Sequence, residues 1–183
     1  MTVREIVLLA AKILGIESQV SAYFDGESNE MQNQAERLVS ALHLAECSLA
    51  LDYVPLHAED EVYAMSGRVD FSSLENSPVR IIGVTDVYGE AIAYTLYSQY
   101  LKTTPGVVRV HYTYTPRVKE LDDECDFGAL SSDGILIYGM LSEYCLGEGL
   151  VAEAAEWDRK WKDLIATIYH TGKCKRLSSR RWI

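Results

Sequence analysis

The hydrophobic period of this chain changes twice, and that change constrains the fold more than any other feature. Val3, Ile6, Val7, Ala10 and Leu14 recur at three- and four-residue steps, which is the spacing of one helix face. Thr2 is suited to cap the start of this helix over residues 2–14, and Gly15 to close it in a left-handed turn. Glu17–Ser28, with its Gly, Asp and Ser, is expected to be a loop. A second helix is expected from about Asn29 to Asp52, with Asn29 and Gln32 as a capping pair. Its apolar stripe is Met31, Ala35, Leu38, Leu42, Ala45 and Leu49, and Pro55 ends it.

From about residue 60 to 118 the period becomes two. Val108, Val110, Tyr112 and Tyr114 alternate with Arg109, His111 and Thr113. Ile92, Tyr94 and Leu96 alternate with smaller residues, and Thr104-Pro105-Gly106 lies between the two runs as a turn signal. The two runs together predict a β-hairpin. Glu61–Met65, Arg68–Phe71 and Val79–Val84 are further strand candidates. Helical spacing returns over 132–170 as a hairpin broken at Gly147 and Gly149, with Ser132 or Asp133 as the cap. Ile135, Tyr138, Leu141 and Cys145 face inward from its first arm, and Ala154, Trp157, Trp161, Leu164 and Ile168 from its second. The fold class is therefore α+β and mainly α. It is a helical-bundle domain over 1–170 with a small antiparallel β-sheet inserted at 60–118, followed by an extended basic C-terminal arm over 171–183.

Charge separates that arm from the rest. The chain has 17 Lys and Arg against 27 Asp and Glu, for a net charge of −10. Thr171–Ile183 reads TGKCKRLSSRRWI, with five cations and no acid, so the body carries −15 and the arm +5. An acidic body is a poor general binder of nucleic acid, because phosphate neutralisation needs clustered cations. Gly172 is placed to end the last helix, so the arm leaves the body there. Lys173, Lys175, Arg176, Leu177, Arg180, Arg181, Trp182 and Ile183 are the candidate partner-binding residues. Burying Trp182 returns about 5 kcal/mol, against an ordering cost on the order of 1–2 kcal/mol for each arm residue. Docking would therefore also need backbone pairing and charge-assisted arginine contacts. A free subunit with an unattached arm is expected to be monomeric.

The residue patterns that carry chemistry are thin. The four cysteines, Cys47, Cys125, Cys145 and Cys174, form no CxxC pair, and free thiols are expected. His43, His57, His111 and His170 fall in no metal-ligand spacing and are expected to be structural or solvated. The apolar residues at the N-terminus are interrupted by Glu5 and Lys12, unlike a signal peptide, and no run approaches the ~20 apolar residues of a membrane span. There is no nucleophile elbow, P-loop or dinucleotide fingerprint, and Gly147-Glu148-Gly149 sits between two helices. Five acids crowd Glu120–Asp126 without the spacing of a calcium loop, and a solvated loop is expected. Trp157 and Trp161 are expected to pack between the hairpin arms. No catalytic residue, cofactor or metal site is assigned.

The order of elements resembles the head-tail adaptor, or connector, proteins of tailed bacteriophages, which include podovirus tail accessory factors and siphovirus head-tail connectors. The likeness rests on the helix VREIVLLAAKILG, the helix at 29–52, the β-rich 60–118, the hairpin arm EAAEWDRKWKDLI and the closing KRLSSRRW. The resemblance implies a non-enzymatic virion protein that forms a homo-oligomeric ring, a dodecamer, between the portal vertex and the tail. Its C-terminal arm would dock on the portal protein, its far side would receive tail or neck proteins, and packaged DNA would pass through the central channel without specific binding. It also implies a place at the neck of the virion, with the host cytoplasm as the site of assembly and no membrane partner. A neck or tail-completion protein below the adaptor and a DNA-binding protein using the basic arm are the alternatives. A carboxylate-pair hydrolase would have to use Asp122, Asp123, Glu124 or Asp126, all from one loop.

Overall fold

The structure, a computed structural model, describes residues 1–129 and 134–169. The arm and its eight candidate residues therefore lie outside the described residues, as do Ser132, Asp133, His170, Gly172 and Cys174. The fold is α+β and mainly helical, with five α-helices and two three-stranded antiparallel sheets among the described residues. The chain divides into two compact units, one formed by residues 1–42 and 121–183, the other by His43–Glu120.

In the first unit, α1 spans Val3–Leu14 and is closed at both ends as its sequence dictates. The Thr2 hydroxyl accepts from the Glu5 amide, and the Glu5 carboxylate accepts from the Thr2 amide at 2.9 Å. Gly15 ends it in the left-handed region at φ 76°. The expected loop is instead a second helix, α2, over Glu17–Phe24. Only Val20 is buried along it, so it has little apolar periodicity by which to be found. Arg4 pairs with Asp25 just past its end.

The next helix, α3, spans Gln32–Asp52 and begins three residues later than expected. Gln32 does not complete a capping box. Its side-chain amide donates to Glu36 at 2.9 Å, and only its backbone reaches Asn29. Arg37 on α3 pairs with Glu148.

The acidic segment is more than a solvated loop. Its backbone pairs with the start of α1, with Val3 N donating to Asp123 O and Cys125 N to Met1 O, each at 3.0 Å. Cys125 and Phe127 are buried while Asp122, Glu124 and Asp126 point outward, a two-residue alternation. The hairpin consists of α4, Gly134–Gly147, and α5, Val151–Tyr169. Here α4 is buried nearly all round, through Ile135, Leu136, Ile137, Met140, Leu141 and Cys145. The expected single inward face was too narrow. In α5 the buried positions are Ala154, Trp161 and Ile165, with Trp157 only half-buried.

In the second unit, β1 (Leu56–Ala64), β3 (Pro78–Thr85) and β6 (Gly106–Tyr114) form one sheet in the order β1-β6-β3. The other sheet has the order β2-β5-β4, from Arg68–Asp70, Tyr100–Lys102 and Thr95–Leu96. This corrects the expected hairpin. Residues 92–96 do not pair with β6. Instead β4 turns at Tyr97 to meet β5, with the Tyr97 and Tyr100 rings stacked at 4.5 Å. Thr104-Pro105-Gly106 carries the chain from one sheet to the other. The physical reason lies on the inner face of β6. Val108, Val110 and Tyr112 match Ala58 and Val62 on one side and Ile81 and Val84 on the other, burying far more than Tyr94 and Leu96 could cover. Both sheets contribute to one core, which includes Val69 and Leu101 from the smaller sheet.

Candidate functional site

The candidate residues of the arm have no described geometry, so the positions that can act chemically must be sought elsewhere. The described residues offer three in the sheet unit: two buried polar pairings and the solvent face of the larger sheet.

The first pairing is an ion pair that the sequence did not single out. Glu46 projects from α3 with 1% exposure, and Lys119 follows β6. The Lys119 ammonium donates to both carboxylate oxygens at 2.9 Å. Glu46 interrupts the Ala45–Leu49 stripe, and an acid on a buried face is the one signal that could have exposed it. The second is centred on Tyr112, whose ring is fully buried in β6. Its hydroxyl donates to Asp60 at 2.8 Å and accepts from the Asn76 amide at 3.1 Å. Asp60 also accepts from the Glu75 amide at 2.6 Å. Burial pushes the Tyr112 phenol above its ordinary range, with the Asn76 backbone donor opposing. Both pairings tie loop segments to the core.

The solvent face of β1-β6-β3 brings together groups far apart in sequence. Pleating sends His57, Glu59, Glu61 and Tyr63 outward from β1. Register places Glu59 beside His111 and Glu61 beside Arg109. His111 Nδ1 lies 3.3 Å from Glu59 Oε2, and its Nε2 lies 3.0 Å from the Thr85 hydroxyl. Arg109 Nε donates to Glu61 at 3.2 Å. A hydroxyl, an imidazole and a carboxylate in series have the connectivity of a nucleophilic triad. Here, however, the Glu59 side chain is half-exposed on an open sheet, where water screens the pair, and acyl transfer needs a desolvated, concave setting. Cross-strand polar pairing is what this arrangement provides.

His43 and Cys47 form a further juxtaposition. They lie one turn apart on α3, with Cys47 Sγ 3.7 Å from His43 Nε2. Their i, i+4 spacing is legible in the sequence. Burial, and after it the Glu46 charge, raise the Cys47 thiol above its ordinary range, which is the reverse of what a thiolate nucleophile requires. Burial does the same to Cys145. Among the described residues there is no cluster of three or more potential metal ligands. No described helix is long and apolar enough to cross a membrane.

The remaining feature is exposed apolar surface. Tyr63, Met65 and Val107 are 72%, 75% and 40% exposed at the end of the β1–β6 pair, where Tyr63 faces Val107 across the strands. At the opposite edge, Phe71, Pro78, Val79, Leu96 and Tyr97 line a groove of about 300 Å³ beside β3. On α5, Trp157 lies 5.6 Å from Tyr138 with Lys160 over its ring, so it packs against the hairpin's other arm as expected. No protein-family model matches this chain, and no curated protein matches it.

Proposed function

We propose that this protein is a structural subunit of a virion, an adaptor that forms a ring between the portal vertex and the tail and docks on the portal through residues 171–183. The observation that carries the reading is the order of elements: three helices, a sheet unit, a helical hairpin, then a segment with five cations and no acid. The exposed apolar residues of the sheet unit also support it, since a ring subunit has to bury surface against neighbours. An acidic body suits the wall of a channel through which DNA must slide, because like charge limits adhesion. On this reading the sheet unit and the bundle have no reaction to perform, and many copies held together make individually weak arms persistent.

The test is a pull-down with a candidate portal protein from the same genome, using the full chain, a truncation after Thr171 and Trp182→Ala. Binding that survives the truncation overturns the reading. DNA binding with a steep salt dependence, lost on the same truncation, would instead favour the basic segment as a nucleic-acid contact.

A further inference from the structure

We propose that the groove between β3 and β4 is a docking site for a short extended peptide of a partner protein, one that carries a carboxylate beside apolar side chains. This goes beyond the portal reading and does not rest on it, since it uses no residue of 171–183.

The groove is the open end of a hairpin that stops pairing. Its closed end is tied by Asp86 N donating to Glu90 O at 2.9 Å, by Ile92 N donating to Val84 O at 2.8 Å, and by a bridge between Thr85 and Ala91. Beyond Ile92 the two strands part. Among the described residues no backbone hydrogen bond joins 78–83 to 93–97, and β3 pairs with β6 while β4 pairs with β5. Each wall of the gap is therefore an open strand edge, with backbone donors and acceptors of the kind that a peptide backbone satisfies.

Shape limits what can enter. β3 carries register shifts between Pro78 and Arg80 and between Ile81 and Gly83, which leave Val79 and Ile82 without partners on β6. Such bulges interrupt the row of backbone groups, so the edge suits a segment of about three or four residues and not a long strand. At about 300 Å³ the groove stands at the bottom of the range for small-molecule pockets and has room for about two apolar side chains. Val79, Leu96 and Tyr97 line it at 51%, 52% and 45% exposure, and an incoming side chain would cover them.

Charge decides between occupants. Arg80 also lines the groove. Its cross-strand row runs through Thr113 to His57 and holds no carboxylate. Arg109, by contrast, stands beside Glu61 in register and bonds to it. Arg4, Arg37, Arg68 and Arg159 are ion-paired as well, so among the described arginines only Arg80 and Arg117 engage no acid. A guanidinium left beside apolar surface in a chain of net charge −10 is matched by a single carboxylate. A nucleic-acid backbone would need clustered cations instead.

The experiment screens the full chain against an array of randomised, N-acetylated hexapeptides, with circular dichroism to verify folding. The wild type should select sequences in which Asp or Glu neighbours an aliphatic or aromatic residue. Adding a selected peptide should move the amide resonances of 79–83 and 93–97. Arg80→Glu should reverse the preference from acidic to basic peptides, and Arg80→Ala should weaken a selected peptide roughly fivefold. Methylating the backbone nitrogens of that peptide should abolish binding, although its side chains are unchanged. Arg80 is exposed, so its variants should fold, and the methylated peptide tests the proposal without altering the protein at all. Selection no stronger than that of a control protein of similar charge overturns the proposal, and so does a preference indifferent to Arg80→Glu. Self-association lost in Arg80→Glu would make the occupant a second copy, and oligothymidylate displacing every selected peptide would make it a nucleic acid, and either result also overturns it. A failed portal pull-down beside intact peptide selection would remove the portal reading and leave this one standing.

Discussion

Lys119→Met is the sharpest perturbation of the fold, because it leaves the Glu46 carboxylate behind. The carboxylate sits in a residue with 1% exposure and accepts two charge-assisted hydrogen bonds from Lys119 at 2.9 Å. Removing Lys119 takes two charge-assisted hydrogen bonds from a carboxylate in a medium that solvates it poorly, and the loss is about 3–5 kcal/mol. Replacing both members with apolar side chains of similar volume removes the stranded charge as well as the bond, so Glu46→Met/Lys119→Met should cost less than about 1 kcal/mol or even stabilise. Urea denaturation followed by tyrosine fluorescence and far-ultraviolet circular dichroism tests this directly. Eight of the twelve tyrosines lie in the sheet unit, whereas all three tryptophans lie outside it. With a urea slope of about 2 kcal/mol per M, the single variant should move the midpoint down by roughly 2 M. Single and double variants equally destabilised, or a single variant within about 1 kcal/mol of wild type, would refute the claim that the pair matters through the charge it neutralises.

Two further outcomes follow from local geometry. Tyr112→Phe leaves the Asn76 amide and Asp60 without their shared hydroxyl and should cost about 1–3 kcal/mol near neutral pH by calorimetry. Because the folded phenol titrates above its unfolded value of about 10, the wild type holds this stability below that pH and loses it as pH rises through the folded value. The variant's stability should be flatter across the same alkaline range, and an equal fall in both proteins would contradict the assignment. Gly67 has φ 76° in the turn between β1 and β2, and a Cβ there would lie 2.3 Å from the Thr103 carbonyl oxygen. Gly67→Ala should therefore destabilise clearly more than Gly15→Ala, which carries the same φ but meets nothing within 4 Å. For Gly15→Ala the cost is about 1 kcal/mol. Equal midpoints for the two would show that backbone conformation alone governs both sites.

How much of this was legible in the sequence follows from the range of each interaction. The caps of α1 are local, settled within four residues by Thr2, Glu5 and Gly15, and the sequence shows them directly. The two breaks in hydrophobic period are local as well, and they place the sheet between the helices. Strand pairing is not local. β6 pairs with β1 about fifty residues back, and the turn at Thr104-Pro105-Gly106 is compatible with either neighbour. What decides the pairing is how much apolar face each candidate buries, and that sum is visible only once β1 and β3 are both in place. The helix α2 was missed for a related reason: eight residues with one buried position leave no period to detect.

The same distinction separates what can be asked of the arm from what can be asked of the sheet. Composition alone isolates residues 171–183, because five cations without an acid stand out in a chain with a −10 balance. Composition cannot say what the segment meets, since a portal groove, a nucleic acid and an acidic strand edge all attract the same charge. Scrambling Lys173–Arg181 while keeping its composition should leave a purely electrostatic contact unchanged but should weaken a docking contact that reads the order of its side chains. Binding of the scrambled chain equal to wild type would show that the order along the arm carries no information and that its charge alone is recognised.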